Sequence, residues 1–91
     1  RAIRENPDYW KAWSNLGAAL AGSGDIRTAA GCYRKALKLN PRDPATHLNL
    51  GIALLRMGRN TQARAHLREF LTLDPAHPRR EEITRWLQRM D

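Results

Sequence analysis

The stretch 9–41, YWKAWSNLGAALAGSGDIRTAAGCYRKALKLNP, is answered at 43–75 by DPATHLNLGIALLRMGRNTQARAHLREFLTLDP. Shifting the chain by 34 residues superposes Asn15-Leu16-Gly17 on Asn49-Leu50-Gly51, and Ala19-Leu20 on Ala53-Leu54. It also places Gly24 on Gly58, Ala29 on Ala63, Arg34 on Arg68, Leu37 on Leu71, Leu39 on Leu73 and Pro41 on Pro75. Eleven of 34 positions are identical, far more than unrelated segments share, so the chain is built from a repeated unit.

Each unit has the pattern of two helices. Trp13, Leu16, Ala19 and Leu20 recur at helical spacing in 10–22, with Asp8 placed to cap the start. Ser23-Gly24 breaks the pattern and Asp25 caps a second helix bearing Ala29, Ala30, Tyr33, Ala36, Leu37 and Leu39, which Asn40-Pro41 ends. The second unit starts at Asp43-Pro44, breaks at Met57-Gly58 and returns from about Thr61 to Leu73. Gly17, Gly51, Ala29 and Ala63 fall where two antiparallel helices approach most closely, with Trp13, Leu20, Tyr33 and Leu67 filling the space beside them. No period-two alternation competes, so the fold class is all-α.

This 34-residue helix–turn–helix, with Trp13, Leu16-Gly17, Leu20, Gly24, Ala29, Tyr33, Ala36 and Pro41, resembles the tetratricopeptide repeat. The second unit carries Leu50-Gly51, Leu54, Gly58, Ala63 and Pro75, with His47 in place of the Trp. The resemblance covers 1–77 and implies tandem antiparallel hairpins in a superhelix. Ala2-Ile3 and Asn6-Pro7 match Ala36-Leu37 and Asn40-Pro41, so 1–7 is expected to be the tail of a preceding repeat in a longer array. Units are expected at 8–43 and 44–77. Asn60 stands where Ile26 does, predicting a looser corner. Phe70 replaces the small residue at Ala36, so an ordinary repeat is not expected to follow. Instead 78–91 reads as a single amphipathic capping helix with Ile83, Trp86, Leu87 and Met90 apolar, laid over Phe70 and Leu71.

Composition narrows the function classes. An apolar content of 42% in 91 residues fits one small folded unit and excludes disorder. The longest apolar run, LGIALL at 50–55, is too short for a membrane span. One cysteine, Cys32, rules out an internal disulfide and leans weakly to a reducing cytoplasmic compartment, without fixing localisation. His47, His66 and His77 lack metal-ligand spacing, and no phosphate loop is present, so neither metal nor cofactor is expected. Cys32 and His47 could approach each other between repeats, but nothing supplies an orienting third group, and a packing contact is the favoured interpretation. No enzyme is expected.

Binding is the remaining class. The resemblance implies a concave face lined by first helices that holds partner peptides in many members. By spacing, that face takes Lys11, Ser14, Asn15, Ala18, Ala21 and Gly22 from the first unit. The second contributes Ala45, Leu48, Asn49, Ile52, Leu55 and Arg56. The peptide-binding candidates are Lys11, Asn15, Ala18, Leu48, Asn49, Ile52, Leu55 and Arg56, with the two asparagines able to clamp a peptide backbone. The stripe Leu48-Ile52-Leu55 is either a ligand groove or a surface covered by the cap helix or a neighbouring chain. The Lys-and-Asn clamp with which some members hold acidic chaperone tails is not expected, because Ser14 and Ala18 occupy two of its places and only Asn49 matches. A second possibility is self-association through the first end of the chain, where Tyr9, Trp10 and Trp13 await a packing partner. The net charge of +7, from thirteen Arg and three Lys against nine acids, permits anionic partners. However, Arg34, Lys35, Lys38, Arg64 and Arg68 on the second helices have no interleaved aromatic platform, so nucleic-acid binding is not the preferred expectation.

Overall fold

A computed structural model describes residues 9–90, so the expectations for 1–7 and for capping by Asp8 lie outside the described residues. Five helices follow in order: α1 Tyr9–Gly22, α2 Ile26–Leu39, α3 Pro44–Arg56, α4 Asn60–Leu73 and α5 Arg80–Met90. They stack as two hairpins, α1/α2 and α3/α4, joined through α2 against α3, with α5 laid on α4. The body measures 43 × 28 × 20 Å.

Local chemistry sets most boundaries. Asp25 accepts from the Thr28 amide at the start of α2, and Asp43 accepts from the Thr46 amide at the start of α3, where Pro44 needs no donor of its own. The Asp43 carboxylate also receives the Thr46 hydroxyl. The turns at Gly24 and Gly58 have φ of +96° and +77°, a left-handed backbone that glycine adopts without steric cost. α4 begins at Asn60, one residue before the expected Thr61. Its cap residue, Arg59, offers no side-chain bond, and Asn60 is exposed where Ile26 is half-buried.

Helix spacing within each hairpin is set by glycine. A Cβ on Gly17 would sit 2.7 Å from Tyr33 Cε1, and one on Gly51 would sit 2.7 Å from Leu67 Cδ2. Both contacts are too short for a real methyl group, so only glycine lets the second helix lie this close. Two apolar clusters result. Ala29, Ala30, Tyr33, Leu50, Ala53, Leu54 and Ala63 form the first, at the junction of the hairpins. Leu48, Leu67, Phe70, Ile83 and Leu87 form the second, which joins α3 and α4 to α5. Phe70 is 1% exposed and meets His77 edge-on at 5.0 Å between ring centres.

Candidate functional site

The clusters decide which groove candidates remain open. Leu48, expected on the concave wall, is 7% exposed and belongs to the cluster with Leu67 and Phe70 of α4 and Ile83 and Leu87 of α5. Leu55 is half-buried and packs against both clusters. Of the expected stripe, Leu48 is thus packed in the cluster with α5, while Ile52 also lines an open cavity. Ser14 is also engaged: its hydroxyl lies 3.0 Å from that of Thr46, which is fully buried, and ties α1 to α3.

What stays open is a cavity of about 180 Å³ between the end of α1, α2 and one face of α3. Asn49, Ile52 and Arg56 line it together with Ala21 and Gly22. Sequence patterning misses Ile26, Tyr33 and Ala53, which also line it, because their spacing marks them only as core. The small Ala21-Gly22 pair leaves the mouth open; a Cβ on Gly22 would meet nothing within 4 Å. At this volume the cavity accepts one side chain, well below the several hundred Å³ that small-molecule sites enclose. Burial holds the Tyr33 phenol above its ordinary pKa, with Cys32 adding to the effect, so the wall presents a neutral hydroxyl-bearing ring. Lys11, Asn15 and Ala18 are exposed along α1 but do not line this cavity. Lys11 Nζ lies 5.8 Å from the centre of the Trp10 ring.

The histidine that replaces the family Trp has a structural task. His47 Nε2 lies 2.8 Å from the Pro41 carbonyl and donates to it, leaving Nδ1 to accept from His66 Nδ1–H at 3.1 Å. The ring centres are 5.3 Å apart, so the two nitrogens lie nearly on the line between the rings, as a direct hydrogen bond requires. Both His47 nitrogens are thus used, and Cys32 is a buried free thiol. Among the described residues no three His, Cys, Asp or Glu side chains gather to hold a metal ion. Nor is any described helix long and apolar enough to cross a membrane.

Stacked helical hairpins with an open inner cavity define an all-α repeat protein. The tetratricopeptide-repeat family model matches residues 16–78, and the chain belongs to that family. It is 35% identical over 72 residues to the peroxisomal targeting signal receptor of Candida albicans, covering 79% of this chain and 12% of that protein. It is 38% identical over 63 residues to human tetratricopeptide repeat protein 8, covering 69% of this chain and 12% of that relative. The chain thus spans about an eighth of the length of these relatives. Among solved structures it is similar to the second tetratricopeptide-repeat domain of Spaghetti (RPAP3) bound to the HSP90 peptide SRMEEVD. That match has a TM-score of 0.79 and 16% identity, and covers 99% of this chain and 87% of that one.

Proposed function

We propose that the chain is a non-catalytic protein-interaction module that holds a segment of a partner protein across α1 and α3. The observation carrying this reading is that Asn49, Ile52 and Arg56 share the wall of one open cavity. The partner inserts an apolar side chain against Ile52 and Ala53, and the Asn49 amide bonds the partner backbone with both a donor and an acceptor. Asn15, Ala18 and Lys11 extend the contact along α1. An Asn49→Ala/Ile52→Asp variant that stays helical is expected to lose at least about tenfold in affinity for a partner retained by the unmodified protein. Unchanged affinity would overturn the proposal.

A second reading rests on Leu16, which is 47% exposed whereas its counterpart Leu50 is 0% exposed. Leu50 belongs to the junction cluster with Ala29, Ala30 and Tyr33 of the preceding hairpin. In this reading the equivalent face of α1 receives another hairpin, either within a longer array or from a second copy. Light scattering across a wide concentration range tests the second copy. Association weakened by Leu16→Asp supports it, and a monomer throughout counts against it.

A further inference from the structure

Beside the cavity just described lies a larger one of about 480 Å³, at the edge where both hairpin turns meet. Its walls include Gly24, Asp25 and Arg27 from the first turn and the start of α2, with Arg56 and Arg59 from the end of α3 and the second turn. We infer that this is an anion site formed by Arg27, Arg56 and Arg59, and that it receives acidic side chains of a peptide whose neighbouring apolar side chain fills the adjoining cavity. The part concerning the apolar anchor rests on the proposed function; the anion site does not.

Three observations carry it. First, none of the three guanidinium groups has an ion-pair or hydrogen-bond partner among the described residues. The one carboxylate in the wall, Asp25, accepts from the Thr28 amide as the cap of α2, so the cavity keeps a surplus of positive charge.

Second, Arg59 is placed against its own helix. It stands at the cap of α4, where the helix dipole disfavours a cation and no acidic residue in the first turn offsets it, whereas at the start of α2 the Asp25 cap offsets the dipole beside Arg27. Helix stability therefore does not account for the Arg59 charge, whereas an anion in the cavity would be attracted by the start of α4 and by all three guanidinium groups.

Third, the two cavities share Ile26 and Arg56 in their walls. Successive residues of an extended chain advance about 3.3–3.6 Å each, so an apolar residue in one cavity places the next two or three side chains within reach of the other. Asn49 and Arg56 alone would accept many sequences; Arg27 and Arg59 are what select acidic ones.

The probe is the peptide acetyl-Gly-Leu-Glu-Glu-Glu-Gly-amide, titrated into the whole chain while backbone amide shifts are followed by NMR. Saturating shifts are expected at Gly24–Arg27 and Arg56–Arg59, with affinity falling as salt rises. Replacing the three glutamates by glutamine is expected to abolish them. The Arg27→Gln/Arg59→Gln variant is expected to bind about tenfold more weakly while keeping its helical spectrum, since these side chains make no contact that the fold uses. Equal shifts from the glutamine peptide, or unchanged affinity in the arginine variant, overturn the inference, as does equal binding of hexathymidylate at the same amides. If the arginine variant weakens binding but Asn49→Ala/Ile52→Asp does not, the acidic site stands and the groove proposal falls. The reverse result leaves the groove and removes this site.

Discussion

The two hairpins share eleven of 34 residues, yet matching positions lead different lives. Leu50 is fully buried because α2 lies against it, whereas Leu16, on the same face of the equivalent helix, is 47% exposed. At the other end, Ala36 is fully buried in the stack of hairpins, and the matching Phe70 is buried in the cluster with Ile83 and Leu87 of α5. A repeat residue thus has no fixed energetic worth. Its worth depends on what packs against it.

The comparison can be broken or sharpened by measurement, beginning at the end with most to lose. Deleting 78–91 removes Ile83 and Leu87 and uncovers Phe70, Leu67 and Leu48. With about 1.5–3 kcal/mol per large side chain, the loss is expected to reach roughly 5 kcal/mol in urea unfolding. An unchanged midpoint would deny α5 its covering role. Next, Leu50→Ala is expected to cost about 3 kcal/mol and Leu16→Ala less than about 0.5 kcal/mol. Equal costs would mean that the face of α1 is covered in solution.

The glycines form a smaller and more symmetrical pair. Gly17→Ala and Gly51→Ala each force a methyl into a ring or a leucine at 2.7 Å. Overpacking of about 1–3 kcal/mol is offset in part by alanine's better helix propensity, worth about 1 kcal/mol. A net loss is expected at both sites, and a gain at either would show that the hairpin opens without penalty.

The smallest effect distinguishes the hairpins by pH. His66 has its pKa lowered by burial first, then by His47 and Arg34, with Glu69 pulling the other way. The unfolded chain, titrating at about 6.5, therefore takes up this proton before the folded one. Stability from neutral His66 is complete above that value and is lost as pH falls toward its lower folded pKa. The melting midpoint of the protein is expected to fall more steeply on acidification than that of His66→Gln. The first hairpin has Trp13 and Cys32 at these positions and lacks the device. Parallel pH profiles for the two proteins would exclude it.

Much of the fold was legible because its causes are local. The spacing of Leu16, Gly17, Leu20, Ala29 and Tyr33, the Asp25 and Asp43 caps and the two turn glycines act within one hairpin, and each writes itself into a short window. The site was legible only in part. Asn49, Ile52 and Arg56 could be assigned to one face by helical spacing alone. Leu48, four residues before Ile52, met α5 instead, and a helix projection does not record how far a later helix reaches. Arg27 and Arg59 stand in different hairpins, thirty-two residues apart, and resemble ordinary solvated charges until the hairpins are stacked.

The sequence by itself determined the period, the helical pairs, the tight glycine contacts and the family, since all depend on residue types at fixed spacing. Only the tertiary structure decided that Leu48 packs in the cluster with α5 while Ile52 also lines an open cavity. It likewise showed that His47 is held by Pro41 and His66, and that three arginines surround one cavity. Those facts depend on how far apart the helices pack and which side chain arrives first at a shared surface. The closeness of α2 to Gly17 and of α4 to Gly51 sets the spacing within each hairpin.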